Sequence, residues 1–417
     1  MSASDSTSPA QAAPEAVAEL INSLGSGPGS DLGWTQEFYE WMHAHPELSL
    51  QEEHTAHAIA EKLADFDCEV TTGIGGHGIV AIFRNGEGPT ALMRADFDAL
   101  PVRETTGLPY ASTVDGVMHA CGHDVHTSSL LGLCAVMDAH REAWSGTFIA
   151  LFQPAEEVTQ GANNMIKDGL ADAIPRPDVC FGQHVVAGPQ GTVYTAAGPV
   201  LAACDTITVT IPGLSAHASS PHLGLDPSYV AAMIVVRLQG IVGREVDPND
   251  FAVISVGSLI AGHTNNTIPS EAKLVLNCRF YNTEVRDRTY EAIERVIRGE
   301  CLASGVTGEP TIEYSARGEL TDNDPELFRT VRPYFDEVFG GQSQDSERWT
   351  ASEDFSEIPR HFGCPYLFWT VGVTPTEQWD AATPAPGNHA SDFAPAKGSV
   401  HTGIKAAAAA VLGYLGV

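Results

Sequence analysis

The sequence predicts an α/β domain with a central mixed sheet, interrupted by a smaller inserted domain of the α+β class. Three observations predict this organisation. The chain has 417 residues, which is enough for two or three domains of ordinary size. Short apolar runs alternate with helical stretches in its first and last parts, as in sheets covered by helices on both faces. Between them, from about residue 204 to 315, the predicted order changes to β-α-β-β-α-β, the pattern of a ferredoxin-like sandwich.

The first part of the chain begins with a helix followed by a stop signal. Trp34, Phe38, Trp41 and Met42 recur at helical spacing, and Pro46 lies where this helix should end. The remaining elements of this part are helices over residues 52–66, 125–139 and 162–170, and strands over residues 78–83, 90–93, 147–152 and 178–184.

The inserted segment supplies the six elements of the sandwich. They are strands over residues 205–211, 251–259, 273–281 and 311–314, and helices over residues 227–242 and 285–303. The α/β pattern resumes at about Ala316, with a strand over residues 365–371 and a final helix over residues 402–415. The predicted domains are a flexible N-terminus (1–14), an α/β domain built from 15–203 and 316–417, and an inserted domain (204–315).

Composition excludes several classes of protein. The chain is 43% hydrophobic, which is too apolar for general disorder. Its 53 acidic residues outnumber 22 basic ones, and the formal net charge is −31. Proteins that bind nucleic acids or anionic membranes need cationic surfaces. We therefore expect neither partner, whereas metal cations suit such a chain.

The sequence contains no recognisable signal for export or membrane insertion. It has no run of about 18 apolar residues. Residues 1–14, rich in Ser, Ala and Pro, lack the basic and apolar regions of a secretory signal. The eight cysteines form no CxxC pair, so we expect thiols rather than disulfides. A cytoplasmic protein is the prediction.

The strongest chemical signal lies at the start of the helix predicted over residues 125–139. Cys121, three histidines and Asp124 crowd into the eight-residue segment 119–126, HACGHDVH. A thiolate, imidazoles and a carboxylate are the ligand types of a transition-metal site. A lone Cys or His is usually only packed in a core, but this density favours metal binding.

A pair of acidic residues follows the strand predicted over residues 147–152. Glu156 and Glu157 are adjacent, so one could bind metal while the other moves protons. A solvated surface pair is the alternative, although such a pair rarely follows an apolar strand so abruptly. His184 ends another predicted strand, and in isolation it is better interpreted as a hydrogen-bonded core histidine. His389, in a polar loop near the C-terminus, is an equally weak signal alone.

Taken together, these clusters resemble peptidase family M20, and within it the amidohydrolase branch of aminoacylases, hippurate hydrolases and hydrolases of auxin–amino acid conjugates. The resemblance covers nearly the whole chain. The order of its motifs is specific, although each one alone is not. The motifs are HAHPEL (43–48), MRADFDALP (93–101), CGHDVH (121–126), QPAEE (153–157), GQHV (182–185), SAHASSPH (215–222), NTIP (266–269), SEDF (352–355) and NH (388–389).

The resemblance implies a site for two divalent metal ions in each subunit. Its ligands would be Cys121, His123, Glu157, His184 and His389. If Cys121 bridges both ions, five residues supply six bonds, and a bridging water brings each ion to four, a normal coordination number for zinc. A thiolate ligand favours zinc, and manganese, cobalt and nickel are also compatible with these ligands.

The resemblance also assigns roles beside the metals. Glu156 would be the general base that activates the metal-bridging water and later protonates the leaving amine. Many members of the wider superfamily have a His-x-Asp segment where this chain has Arg94-Ala-Asp96, so their His ligand is absent here. Asp96 is expected to orient the site without binding metal.

Three residues of the inserted domain receive roles by the same resemblance, which makes this domain a lid and dimerisation domain. His217 would stabilise the tetrahedral oxyanion, commonly from the partner subunit. Asn266 and Arg279 would bind the substrate carboxylate. A surface histidine, a turn asparagine and an arginine on a solvated strand face are the alternatives. A homodimer is expected on the resemblance alone.

The predicted function is metal-dependent hydrolysis of the amide bond of a small N-acyl-L-amino acid to a carboxylic acid and a free amino acid. A dipeptidase or an N-carbamoyl amino acid hydrolase would use the same metals and base and differ only in the acyl pocket. A non-catalytic protein that binds peptides or acylated amino acids is the alternative from another class. The presence of every expected ligand and of the base argues against it.

Overall fold

The computed structural model describes residues 12–25, 31–379 and 384–416, except for the side chain of Ala316. The chain divides into two compact units. The larger unit comprises Met1–Val200, Asp322–Glu347 and Asp354–Val417, and the smaller unit comprises Leu201–Thr321 and Arg348–Glu353. The predicted inserted domain, residues 204–315, falls within the first segment of the smaller unit.

Helices and strands alternate along most of the described chain. The helices are α1 (Pro14–Ser23), α2 (Gly33–Ala44), α3 (Glu53–Leu63), α4 (His123–Ala139), α5 (Gly161–Lys167), α6 (Leu170–Ala173), α7 (Pro227–Arg244), α8 (Thr283–Ala303), α9 (Pro325–Phe339), α10 (Glu357–Phe362), α11 (Thr376–Trp379) and α12 (Ser399–Leu415). The strands are β1 (Glu69–Ile74), β2 (Gly78–Asn85), β3 (Thr90–Asp96), β4 (Gly146–Gln153), β5 (Val179–Pro189), β6 (Val193–Thr195), β7 (Gly198–Leu201), β8 (Ala203–Pro212), β9 (Ala216–His217), β10 (Ala252–Ala261), β11 (Thr267–Ile268), β12 (Glu271–Phe280), β13 (Thr311–Gly318), β14 (Thr321–Asn323), β15 (Ser343–Asp345) and β16 (Tyr366–Thr374). Each helix and strand that the sequence predicts has a counterpart of the same type.

The larger unit is built on an eight-stranded mixed sheet in the order β1-β2-β4-β3-β5-β16-β6-β15. Its centre is parallel, since β3 pairs in parallel with β4 and β5, and β5 with β16. All nine residues of β16 are buried. Strands buried on both faces appear in a sequence as continuous apolar runs, which explains why these strands were predictable.

Helices α4 and α12 pack closely together in the core of the larger unit. Residues 406–410 of α12, all alanine, are fully buried. A Cβ at Gly132 of α4 would lie 2.3 Å from Ile404 Cδ1 of α12, so the close approach depends on a residue without a side chain. This packing fixes α4, whose first residue is His123.

The smaller unit contains a four-stranded antiparallel sheet in the order β10-β12-β8-β13. Its main elements follow each other as β8-α7-β10-β12-α8-β13, which confirms the predicted ferredoxin-like fold. Residues of β8 alternate between buried and half-buried positions, as expected for a sheet with one face against helices. The fold class predicted for the whole chain is therefore correct.

Some elements differ from the prediction. Residues 162–170 were expected to form one helix, but Gly169 has φ +91° and separates α5 from α6. A left-handed glycine is a common end to a helix. Strand β1 has no apolar signal because five of its six residues are exposed. Helix α9 was missed although Asp324 caps its first turn and Pro325 begins it.

The N-terminal segment can be compared with the prediction only in part. Residues 1–11 of the predicted flexible N-terminus lie outside the described residues, and Pro14 already belongs to α1. The N–H of Ala12 donates to Gly416 O (3.2 Å). Within the ranges that the structure describes, no helix combines the length and apolar character needed to cross a membrane.

Candidate metal centre

Polar residues of the larger unit gather where three neighbouring strands approach their carboxyl ends. Asp96 ends β3 and is the parallel partner of Gln153, which ends β4. Glu156 and Glu157 follow β4 almost directly, and His184 lies in β5, on the other side of β3. Ligands commonly bind at this edge of parallel sheets. The strand order therefore brings polar residues from distant parts of the sequence to one place.

A glycine turn carries two of the predicted metal ligands to this edge. Gly122 has φ +86° and immediately precedes α4, with Cys121 before it and His123 after it. A Cβ at position 122 would lie 2.3 Å from Val185 Cγ2. Both the backbone conformation and the available space thus require glycine. The turn holds Cys121 and His123 against β5.

The five predicted ligands form two groups that share one residue. The ligand atoms of Cys121, His123 and His184 all lie within 4.8 Å of one another, and so do those of Cys121, Glu157 and His389. Cys121 Sγ is 3.5 Å from His184 Nε2 and 3.2 Å from His389 Nε2. The thiol therefore lies between the two groups, in the position that a bridging ligand needs.

Hydrogen bonds determine which ring nitrogen faces these groups. His123 Nδ1 donates to Asp98 Oδ1 (3.2 Å), and His184 Nδ1 donates to Val185 O (2.7 Å). In the neutral rings, Nε2 then carries the lone pair, as in most metal-binding histidines. Among the residues that the structure describes, His123 Nε2 and Glu157 Oε1 are buried without a hydrogen-bond partner. Such atoms call for an explanation, and this set of sulfur, nitrogen and oxygen donors fits divalent cations.

The pKa values of the two imidazoles of the first group are shifted in opposite directions. Burial and the neighbouring His126 lower the pKa of His184 well below its usual value, so its ring is neutral, as a ligand must be. Burial also lowers the pKa of His123, but Asp96 and Asp98 outweigh it and raise that pKa well above its usual value. A cation at His123 Nε2 would compete with this proton.

The acidic donors are protonated more readily than usual. Burial raises the pKa of the Cys121 thiol well above its usual value, and the carboxylates of Glu157 and Glu156 raise it further. Burial likewise raises the pKa of Glu157, to about 7. Bound cations would supply the positive charge that favours the ionised thiol and carboxylate.

A strained turn presents the two glutamates. Ala155 has φ +53°, which is uncommon for a residue other than glycine. Its N–H donates to the buried Glu52 Oε1 (2.8 Å). Glu156 Oε2 and Glu157 Oε1 each lie 3.8 Å from His123 Nε2. Side chains that would diverge on a regular strand thus reach the same imidazole.

Arg94, in β3, is buried among polar groups. It donates to Asp96 Oδ2 (2.5 Å), Asp354 Oδ1 (3.0 Å) and Gln153 Oε1 (2.9 Å). Asp96 Oδ1 accepts from His126 Nδ1 (2.6 Å). Burial would raise the pKa of Asp96, but Arg94 and the nearby imidazoles hold it well below its usual value. Both oxygens of this carboxylate are therefore already engaged.

Two residues that the sequence analysis did not assign hold the predicted ligands in place. Asp98 accepts from His123 Nδ1 and also from the N–H of Glu157 (3.0 Å). His126 Nε2 accepts from the N–H of Val185 (2.8 Å). Both belong to motifs visible in the sequence, DFDAL and CGHDVH. Their residue types could have marked them as candidates for the site, but the contacts that define their roles cannot be read from the sequence.

The other three predicted site residues lie in the smaller unit. His217 of β9 pairs with Thr267 of β11, and the N–H of Ala218 donates to Asn266 O (2.9 Å). His217 and Asn266 are therefore on neighbouring segments. His217 Nδ1 accepts from the N–H of Ser219 (3.1 Å), which places the proton of the neutral ring on Nε2.

Arg279, in β12, is held by oxygen acceptors of the smaller unit. Its guanidinium donates to Asn277 Oδ1 (3.0 Å), Thr350 O (3.0 Å) and Ser352 Oγ (2.7 Å). Arg279 is half-buried and lies on the less buried face of β12.

Comparison with known proteins identifies the family. The model of peptidase family M20/M25/M40 matches residues 92–412, more than half of the chain. This chain therefore belongs to that family, and its fold, its class as an enzyme and the resemblance stated from its motifs are confirmed.

Individual relatives are similar over most of their length. Hippurate hydrolase from Campylobacter jejuni is 36% identical over 331 residues, which cover 78% of this chain and 85% of that protein. N-acyl-L-amino acid amidohydrolase from Geobacillus stearothermophilus is 36% identical over 292 residues, which cover 68% and 77%. The crystal structure of the Bacillus subtilis YXEP protein, described as a dinuclear metal-binding peptidase of family M20, has a TM-score of 0.76 at 28% identity. The two structures match over 91% of this chain and 97% of the YXEP chain.

Proposed function

We propose that this protein hydrolyses the amide bond of N-acyl-L-amino acids, releasing a carboxylic acid and a free amino acid, with two divalent metal ions in each chain. The observation that carries the proposal is the position of Cys121 between two groups of candidate ligands, with Glu156 beside them. The names of two relatives, hippurate hydrolase and N-acyl-L-amino acid amidohydrolase, point to the same class of reaction.

One ion would be held by Cys121, His123 and His184, and the other by Cys121, Glu157 and His389. Zinc suits a site that combines thiolate, imidazole and carboxylate ligands, and manganese, cobalt and nickel are compatible with it. When bound, the two cations lower the pKa of a coordinated water and polarise the scissile carbonyl. The distances within each group support this assignment, and so does the lack of a hydrogen bond to His123 Nε2 and to Glu157 Oε1 from any described residue.

Glu156 would be the general base. Its carboxylate takes a proton from the attacking water as the water oxygen bonds to the acyl carbon. The carbon–nitrogen bond then breaks as Glu156 returns the proton to the leaving nitrogen. Glu156 is 6% exposed, and its Oε2 lies 3.8 Å from His123 Nε2. It is thus shielded from bulk water and close to the ligands.

Asp96 would orient the site without binding metal. Its two oxygens are occupied by Arg94 and His126. Through His126, it holds the peptide N–H of Val185, which follows His184 in the chain. The role fits a residue that acts through its neighbours, because outer hydrogen bonds fix the orientation of metal ligands.

His217 would donate from Nε2–H to the oxyanion of the tetrahedral intermediate, since its Nδ1 is occupied by the Ser219 N–H. Asn266 and Arg279 would bind the substrate carboxylate, because a chain of net charge −31 needs a local cation to hold an anion.

We also propose that the protein is a homodimer formed through its smaller unit, and that His217 acts in the site of the partner subunit. A fully active protein that is monomeric by light scattering would rule out this role of His217.

Replacing Glu156 with glutamine tests the mechanism. Glutamine keeps the size of the side chain but cannot accept the proton, so we expect kcat to fall by about 10²- to 10⁴-fold. Metal analysis of the same preparation should still find two ions per chain. Glu142→Gln, at a side chain that is 75% exposed, is the matched control and should leave both quantities unchanged. Full activity of the Glu156 variant would refute the assigned base.

A substrate panel separates the alternatives. N-acyl amino acids that vary in both halves should be hydrolysed, whereas preferred hydrolysis of aminoacyl or N-carbamoyl derivatives would favour a dipeptidase or a carbamoyl hydrolase. Removal of the cations by a chelator should abolish turnover, and returning zinc or manganese should restore it. Metal uptake without hydrolysis of any panel member would favour the non-catalytic binding protein.

A further inference from the structure

The side chain of Asn388 joins segments that carry three of the candidate metal ligands. Its Nδ2 lies 3.0 Å from Cys121 O and 3.0 Å from Val185 O. Both partners are carbonyl oxygens, so only the amide nitrogen can face them, and its two hydrogens satisfy one acceptor each. The next residue is His389, and its N–H donates to Ala120 O (2.7 Å). The segment 388–389 is therefore attached to the Cys121 turn and to β5 by three hydrogen bonds.

The carbonyl of Val185 also sets the orientation of His184. It accepts from His184 Nδ1 (2.7 Å) as well as from Asn388 Nδ2. A proton held on Nδ1 leaves the lone pair of the neutral ring on Nε2, which lies 3.5 Å from Cys121 Sγ. If this peptide group rotated, His184 would lose the acceptor that fixes its ring. The contact from Asn388 thus acts on His184 through a shared acceptor.

His389 depends on the same attachment. It has φ +70°, a conformation that non-glycine residues adopt only when their surroundings impose it. Its ring is about half exposed (54%), so packing alone does not hold it. The hydrogen bonds at Asn388 Nδ2 and at the His389 N–H flank this residue and fix its backbone where Nε2 lies 3.2 Å from Cys121 Sγ and 3.5 Å from Glu157 Oε1.

We propose that Asn388 is a positioning residue that holds the segments of Cys121, His184 and His389 in register, so that two cations can bind at once. This inference rests on the proposed function. Asn388 does not need to touch metal or substrate. Its contribution is to preorganise ligands that come from three separate segments, and outer contacts of this kind typically change metal affinity by about 10- to 100-fold.

Two substitutions remove the amide donor in different ways. Asn388→Asp keeps the shape of the side chain but turns an oxygen toward two carbonyl oxygens, so it replaces attraction with repulsion. Asn388→Ala removes the donor without adding charge. We expect both to weaken divalent metal binding, and the aspartate variant to be the weaker binder of the two.

Asn323 offers a matched control in the larger unit. Its Nδ2 also donates to two carbonyl oxygens, those of Ala196 and Phe368, each at 2.8 Å. Neither acceptor belongs to a candidate ligand or to a residue adjacent to one. Asn323→Asp and Asn323→Ala therefore break the same type of contact outside the segments of Cys121, His184 and His389. They should affect stability without a specific effect on metal binding.

The experiment measures zinc affinity and stoichiometry of the full chain by competition with a chromophoric chelator. It also records the visible spectrum of the cobalt(II)-loaded proteins, because that spectrum reports coordination geometry. We expect zinc affinity to fall about 10- to 100-fold in the Asn388 variants and to stay at the wild-type level in the Asn323 variants. The cobalt spectrum should change only for Asn388. Thermal unfolding of the metal-free proteins shows whether any variant has lost its fold.

Several results would overturn the inference. Wild-type affinity in the Asn388 variants would do so, as would an equal loss in the Asn323 variants, which would mean a general effect on stability. Failure of both Asn388 variants to fold without metal would make Asn388 a structural residue instead. If the wild-type chain binds two ions and hydrolyses its substrates in any of these cases, only this inference fails. If the wild-type chain binds no pair of ions, the proposed function fails as well.

Discussion

Replacing Gly122 with alanine tests how tightly the turn between Cys121 and His123 is constrained. The new Cβ would meet Val185 Cγ2 at 2.3 Å, and the residue would have to keep φ at +86°. A left-handed conformation costs an L-residue about 1–2 kcal/mol, and overpacking a core typically costs about 1–3 kcal/mol. We therefore expect the variant to lose about 2–5 kcal/mol of unfolding free energy.

Gly116→Ala is the matched control, because Gly116 has φ +77° but a Cβ there would meet no heavy atom of the described part of the chain within 4 Å. It should lose only the conformational part, about 1–2 kcal/mol. Urea denaturation of the metal-free proteins measures both losses, with midpoints compared at equal slope. Because Val185 carries the carbonyl that orients His184, the Gly122 variant should also bind zinc more weakly. Equal losses of stability in the two variants would refute the close contact with Val185.

Two further predictions concern buried titratable groups. Burial lowers the pKa of His43, but its contacts with Asp124 and Glu104 outweigh this and raise it from 6.5 to about 9. This shift means that protonated His43 contributes about 3 kcal/mol to the free energy of unfolding. The contribution is complete below pH 6.5 and is lost as the pH rises through 9. Urea denaturation across this range should thus give wild type a steeper alkaline loss than His43→Gln, and parallel curves would contradict the assignment. Glu52→Ala, which removes the acceptor of the Ala155 N–H, should lower kcat by about 10²-fold through misplacement of the turn that carries the proposed base Glu156. Glu52→Gln keeps an acceptor oxygen and should stay near wild type; a steady-state assay of both variants decides, and equal activities would exclude the positioning effect.

Local signals explain which elements of the fold could be predicted. The strands at the centre of the larger unit, such as β16, are buried at every position and therefore appear as continuous apolar runs. Strand β1 is an exposed edge strand, in which only Ile74 is buried. Its existence depends on pairing with β2, which is a contact between segments and leaves no periodic pattern in the sequence.

The candidate site could be predicted as a set of residues but not as an arrangement. Cys121, His123 and Glu157 were recognisable from residue type and from the order of motifs. The sequence could not specify that Asp98 orients two of them at once, through His123 Nδ1 and the N–H of Glu157. Nor could it assign Asn388 to the carbonyls of Cys121 and Val185, since hydrogen bonds form between atoms that only folding brings within 3 Å.

Residue types, their short-range spacing and the order of motifs were sufficient to identify the family and the two kinds of fold, and to propose donors for a pair of cations. These properties can be read from the amino-acid sequence alone. The place of Cys121 between two ligand groups and the engagement of Asp96 by Arg94 and His126 became known only from the packed chain. Cys121 and His389 are 268 positions apart in the sequence yet 3.2 Å apart at their side-chain atoms. Distances of this kind depend on how strands and helices pack. A shift of about 1 Å in that packing is enough to move a side chain out of the position that a ligand needs.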